Sequence, residues 1–336
     1  MRSQLSVFVI FVIITVSSCK KAEFASFTGF AQGTTYSIVY QSSKKFSTDS
    51  LQKQVAKILS DFDLSLSLYM DSSILSKVNR NEDVKVDTFF TEVFKESAAI
   101  SEMTDGAFDV TVGPLVKAWG FGPDDHKNFS EQKRDSLLKL VGMEKVLLSE
   151  GKVIKKDPGI NLDFNAIAQG YSVDVVSRYF EALGIKNYLV EIGGEVRAGG
   201  TKNGNLWRIG IDKPEDNNLI PGQELQAIIK ITNKSLATSG NYRKFYVEDG
   251  IKYSHTIDPK TGYPAKNRLL SATILADDCG TADGIATACM VMGHEKAIDF
   301  IKNNSKFSAY FVISGTDGKY QTWMSESLKE FLTEEK

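Results

Sequence analysis

The chain has 336 residues, 40 basic against 42 acidic side chains, and a formal net charge of −2. That balance, with no basic run and no interleaving of aromatic and basic residues, speaks against nucleic-acid binding. The length suffices for one large domain or two intimately joined ones, and no internal repeat or low-complexity linker divides it.

Met1-Arg2 precede an apolar run from Leu5 to Val16 that ends in Ser17-Ser18-Cys19. A basic start, a short apolar core and small residues before a cleavage point mark a secretory signal. The run is too short for a permanent spanning helix. Cys19 after Ser17-Ser18 resembles a bacterial lipobox, which implies cleavage before Cys19 and lipid on its thiol and new amino terminus. An ordinary signal peptide with an incidental Cys is the alternative. Residues 1–18 are thus expected as the signal, 19–27 as the lipidated Cys and tether, and 28–333 as the folded domain.

Phe30 to Tyr40 alternates as a strand. Leu51, Val55, Ile58, Leu59 and Phe62 recur at helical spacing behind Thr48 as N-cap. Helices are also predicted over Phe89 to Met103, Pro114 to Trp119, Ser130 to Val141 and Ile167 to Leu183, the last closed by Gly184. Strands are predicted at Tyr188 to Ile192, Trp207 to Ile211, Leu225 to Ile231, Phe245 to Val247 and Ser271 to Leu275. Asp212 to Gly222 reads as an insertion loop. The last part gives a helix bearing Asp283, a helix from Lys296 to Lys302, and strands at Ser308 to Ile313 and Tyr320 to Trp323. The pattern is α+β with largely antiparallel pairing and packed helices in a single large domain.

Asp283-Gly284-Ile285-Ala286-Thr287 lies in a Gly/Ala-rich segment that reads as a helix start. Asp283 and Thr287 are four apart, so their oxygens share one helix face. A carboxylate and a hydroxyl are hard ligands, better suited to Mg²⁺ than to zinc. An N-terminal charge that merely complements its own helix dipole is the alternative. Cys279 and Cys289 would stand about 15 Å apart on that helix, too far for a disulfide.

Polar, glycine-bearing segments separate the predicted elements. They are Gln32-Gly33-Thr34-Thr35-Tyr36, Leu68-Tyr69-Met70-Asp71, Asp105-Gly106-Ala107-Phe108-Asp109 and Asp163-Phe164-Asn165-Ala166-Ile167-Ala168-Gln169-Gly170. Gly193-Gly194-Glu195, Ser239-Gly240-Asn241-Tyr242-Arg243 and His255-Thr256-Ile257-Asp258 follow. In this order they resemble the ApbE family, the Mg²⁺-dependent FAD:protein FMN transferases, from about Gly29 to Trp323. The resemblance implies an ApbE-like, T-fold-related fold. The implied reaction cleaves FAD, releases AMP and joins FMN to a threonine or serine hydroxyl of an acceptor protein.

The resemblance also implies site residues. Asp283, Thr287 and the backbone oxygen of Ala166 would hold Mg²⁺, helped by the N-terminus of the Asp283 helix. Tyr69 would stack on the flavin, or else be a turn residue. Gln32 stands where many relatives have Met, and Gln169 where many have Lys. Ala107, Phe108 and Asp109 would line the FAD site largely through backbone, or else Phe108 belongs to the core. Asp163 and Ile257 match further FAD contacts, Ile257 equally readable as a buried strand residue. His255 is the candidate general base or a simple loop histidine, with Asp258 to orient it or act in its place. Ser239, Arg243 and Glu195 would shape the pocket. The implied acceptors are subunits of the Na⁺-pumping quinone reductase or of the Rnf complex. The implied location is the periplasmic side of a bacterial membrane, the inner one favoured. An FAD pyrophosphatase, or a non-catalytic FAD-binding lipoprotein, would use the same site.

Overall fold

The computed structural model describes residues 22–121, 130–214, 222–241, 245–248, 251–254, 256–315 and 319–335. Cys19, His126, Arg243, His255 and most of the expected insertion loop, residues 215–221, lie outside them.

The chain opens with a hairpin, β1 (Phe24–Ala31) and β2 (Thr34–Gln41), where the sequence reading ran one strand from Phe30 to Tyr40. The turn is Gln32-Gly33, with φ of 54° and 73°. A two-residue turn with both φ positive matches the twist of an antiparallel pair. Gln is a poor advertisement for that conformation, which is why alternation alone ran through it. Helix α1 (Thr48–Leu66) is capped by Ser47, whose hydroxyl accepts the Ser50 N–H at 3.2 Å, and not by Thr48. α2 (Ile74–Asn79), α3 (Thr88–Met103), α4 (Gly113–Ala118) and α5 (Glu131–Leu138) follow, then the hairpin β3 (Val146–Ser149) and β4 (Lys152–Lys155). α6 (Ala168–Ala182) ends at Gly184, whose φ of +77° suits a residue without a β-carbon.

Next come β5 (Tyr188–Ile192), β6 (Glu195–Gly199), β7 (Trp207–Asp212), β8 (Leu225–Ile231), β9 (Lys234–Gly240), β10 (Phe245–Glu248), β11 (Ile251–Ser254) and β12 (Leu269–Ala276). α7 (Cys279–Met292), α8 (His294–Asn303), β13 (Ser308–Ser314), β14 (Tyr320–Met324) and β15 (Leu332–Glu335) complete the chain. Cys279 and Cys289 are free and buried along α7, as their spacing predicts. Among the described residues no helix is long and apolar enough to cross a membrane.

Eight strands form one sheet in the order β1-β2-β5-β6-β9-β12-β13-β14, every neighbour antiparallel. Leu51, Val55 and Leu59 of α1 and Val173, Val176 and Phe180 of α6 pack on its β1-β2-β5 end. α3, α7 and α8 cover the β12-β13 end, where Ile274 and Phe311 point toward them. Leu275, Tyr310 and Val312 point the other way, into a core shared with the three-stranded sheet β15-β8-β7. Burial on both faces explains why β12 and β13 read as continuous apolar runs.

Candidate functional site

The site forms where the first turn of α6 meets α7 at Asp283. The Gly170 N–H donates to Asp283 Oδ2 at 3.1 Å. A β-carbon on Gly170 would stand 2.4 Å from the Cys279 carbonyl oxygen and 2.8 Å from Asp283 Cβ, so only glycine permits this approach. Asp283 is buried, and loss of hydration pushes its carboxyl up to about 7, against the opposing Gly170 N–H. One turn on, Thr287 Oγ1 lies 3.0 Å from Ser239 Oγ of β9.

This corrects the expected dipole. α7 begins at Cys279, so Asp283 stands beyond its first turn. The helix N-terminus that meets the carboxylate is that of α6, opened by the turn containing Ala166.

Around this crossing the structure gathers several of the predicted residues. The Gln169 amide donates to the Ile192 carbonyl at 3.3 Å and presses on Gly193, where a β-carbon would fall 1.4 Å from it. Ser172 Oγ bridges Gln169 O at 2.7 Å and Gln32 Oε1 at 3.2 Å. The Gln32 backbone N–H serves the Asp63 carboxylate, while its side-chain Nε2 is a buried donor with no hydrogen-bond partner among the described residues. An orphaned buried donor of this kind calls for an acceptor from outside the protein. Tyr69 is 71% exposed, and the nearby Asp163 charge helps burial hold its phenol protonated. Asp163 caps the turn before α6, accepting the Asn165 N–H at 2.8 Å.

Other predicted residues spend their side chains on the scaffold. Phe108 is a core residue packed against Gly284 of α7. Asp109 accepts from Thr111 N, Thr111 Oγ1 and Met143 N at 2.8, 2.6 and 3.0 Å, and burial raises its carboxyl. The backbone of this buried segment is largely engaged as well: the Ala107 and Phe108 N–H groups donate to Thr104, and the Asp109 carbonyl accepts from Val112. Ile257 is buried with Leu115, Trp119 and Val141. Asp258 accepts Lys260 N at 2.9 Å and Thr261 Oγ1 at 3.0 Å, capping its own turn. Lys260 clips that turn to Asp105 at 2.5 Å. Asp258 also borders a cleft of about 530 Å³ with Trp119, Tyr263 and Met292, at the far end of α7 from Asp283. Glu195 is buried at the start of β6, opposite Ile192.

Three charged residues behind α7 escaped the sequence reading. Asp174 of α6 accepts the Gly280 N–H at 2.8 Å and pairs with Arg197 of β6 at 2.7 Å. Glu96 of α3 contacts Thr281 Oγ1 at 2.7 Å. A lone carboxylate inside the apolar Val173-Asp174-Val175-Val176 stretch was the available signal.

The donors fit a small hard cation. Among the described residues no three His, Cys, Asp or Glu side chains form a metal-holding group. The set that the resemblance implies is one carboxylate, the Thr287 hydroxyl and the Ala166 carbonyl, all oxygen, a donor chemistry that suits Mg²⁺. A buried carboxylate with a single N–H partner among the described residues is a group that a cation would keep ionised.

Comparison with known proteins identifies the family. The ApbE family model matches residues 32–311. The chain is 38% identical over 330 residues to the FAD:protein FMN transferase of Vibrio cholerae, covering 96% of this chain and 97% of that one. It is 33% identical to the Escherichia coli K12 protein of the same name, covering 85% and 83%. The solved flavin transferase ApbE from Vibrio cholerae superposes with a TM-score of 0.83 at 37% identity, covering 93% of this chain and all of that one. The ApbE protein from Thermotoga maritima gives 0.81 at 31% identity with the same coverage. By sequence and by fold, the chain belongs to the ApbE family and is an enzyme of the flavin-transferase type.

Proposed function

We propose that the chain moves FMN from FAD to a threonine or serine hydroxyl of an acceptor protein, with AMP as the other product. The observation that carries this is the oxygen pair on α7, Asp283 against the N-terminus of α6 and Thr287 one turn on beside Ser239 of β9. In the reaction a bond forms between the acceptor oxygen and the FMN phosphorus. The pyrophosphate P–O bond breaks, its electron pair leaves with AMP, and the hydroxyl proton passes to a base.

Bound Mg²⁺ would neutralise the pyrophosphate charge as that bond breaks. Asp283, Thr287 and the Ala166 carbonyl would hold it. The α6 N-terminus and the Gln169 amide would face the phosphates and ribose. Tyr69 would cover the isoalloxazine, and Gln32 Nε2, without a partner among the described residues, would donate to a flavin acceptor. Both Asp258 oxygens are engaged in its own turn, so Asp258 orients that loop and His255 takes the proton. Cys19 would carry the lipid that anchors the domain on the periplasmic side of a bacterial membrane, the inner one favoured. Acceptors would be flavoprotein subunits of the Na⁺-pumping quinone reductase or Rnf type.

The test follows AMP release from FAD and Mg²⁺, with and without a threonine-bearing acceptor domain whose mass is then measured. AMP release coupled to an FMN mass gain, and abolished by chelator or by Asp283→Ala, is the expected result. AMP release indifferent to the acceptor would make the enzyme a pyrophosphatase. FAD retained intact throughout would make the protein a carrier.

A further inference from the structure

The crossing of α6 and α7 is reciprocal. Gly170, at the start of α6, donates its N–H to Asp283 of α7, and Gly280, at the start of α7, donates its N–H to Asp174 of α6 at 2.8 Å. The Cys279 N–H also serves Asp174. Each helix thus caps the other with a carboxylate from within its own length, Asp283 about one turn and Asp174 nearly two turns in from the N-terminus. Asp174 is buried, and Arg197 Nη1 holds it at 2.7 Å while reaching Asp278 Oδ1 at 3.1 Å. Arg197 Nη2 reaches Glu181 at 3.5 Å. The tight approach at Gly170 leaves α7 no slack for sliding along α6.

We propose that Asp174, clasped by Arg197, is a positioning residue: by fixing the first turn of α7 it sets where the Asp283 carboxylate and the Thr287 hydroxyl stand for the divalent cation. This inference rests on the metal-site reading of Asp283. The geometry makes it specific. Asp174 holds α7 by the N–H pair of Cys279 and Gly280, one turn before Asp283. A shift of that turn moves Asp283 and Thr287 together, because they share a continuous helix.

The experiment titrates the full chain, in detergent, with Mn²⁺ followed by electron paramagnetic resonance, with Mg²⁺ as competitor. The wild type, Asp174→Asn, Arg197→Met and Asp283→Ala are compared. We expect Asp283→Ala to lose the site and Asp174→Asn to weaken Mn²⁺ binding about tenfold. Turnover of the Asp174→Asn protein at saturating Mg²⁺ should stay within about twofold of wild type, a split between cation affinity and kcat that general destabilisation does not produce. Arg197→Met, which leaves the Asp174 bonds to α7 in place, should weaken Mn²⁺ by a smaller factor and gives the readout if Asp174→Asn does not fold. Linkage supplies an independent sign: Mg²⁺ should slow hydrogen exchange at residues 279–281 in the wild type and less so in Asp174→Asn. Wild-type Mn²⁺ affinity in both Asp174→Asn and Arg197→Met, with binding still lost in Asp283→Ala, overturns the positioning role alone. Absence of Mn²⁺ binding in the wild type overturns the metal-site reading and this inference with it.

Discussion

Gly170 and Asp283 are 113 positions apart in sequence, yet the Gly170 N–H and the Asp283 carboxylate meet at 3.1 Å across a crossing with no room for a β-carbon. That contact delivers a buried acid to a helix N-terminus. Gly170→Ala weighs two effects against each other. Alanine gains about 1 kcal/mol of helix propensity. Its methyl must displace the Cys279 carbonyl, a backbone atom 2.4 Å away. The overpacking wins, and a net loss of about 1–3 kcal/mol is expected by urea denaturation, together with weaker FAD turnover.

The Asp283 carboxyl pits stability against chemistry. Its folded value of about 7 lies above the ordinary 3.8, so the folded chain holds a proton that the unfolded chain has released. Stability from this group is full below about pH 4 and is lost as pH rises through 7. Asp283→Asn keeps an acceptor for Gly170 and needs no proton. At pH 8 without divalent cations it should raise stability by about 1–3 kcal/mol while lowering AMP release about a hundredfold. Denaturation without cation, set beside an AMP assay with Mg²⁺, reads both effects.

Glu96 obeys the same sign away from the cation oxygens. Burial, opposed by Thr281 and Arg178 and reinforced by Asp174 and Asp278, pushes it up to about 7 from 4.5. Folded Glu96 therefore binds a proton between these values, and its stabilising share fades as pH rises through 7. Glu96→Gln keeps a partner for Thr281 and removes the titration. The difference in Tm between this variant and wild type should be small at pH 5 and favour the variant by several degrees at pH 8. Equal differences at both pH values would refute the assignment.

Lys155 is a tethered cation among carbonyls. Its Nζ donates to Ile160 O at 2.9 Å, Val78 O at 3.1 Å and Asn79 O at 3.3 Å. These join the end of α2 to the segment that runs into Asp163 and Ala166. Lys155→Met keeps the aliphatic stem and leaves the carbonyls without their charged donor. A cost of about 1–3 kcal/mol is expected by chemical denaturation.

Legible in the residues alone are the α+β class, the ordered motifs, the shared helix face of Asp283 and Thr287, and the impossibility of a Cys279–Cys289 bridge. Each is a matter of local spacing, which helix and strand periods make readable. The sequence also carried the family, because the ordered segments from Gln32 to Thr287 survive as residues. Which helix N-terminus faces Asp283 emerges on folding, since that depends on a contact between segments more than a hundred residues apart. Burial of Asp283 and Glu96, which moves both carboxyls to about 7, belongs to the same level, because desolvation has no local signature. The turn at Gln32-Gly33 was hidden for a different reason: Gln carries little preference for positive φ, and the pairing of Ala31 with Thr34 across a two-residue turn requires it. Asp174 showed as a charge in an apolar stripe, but its partners Gly280 and Arg197 become visible only when α6, α7 and β6 are folded together.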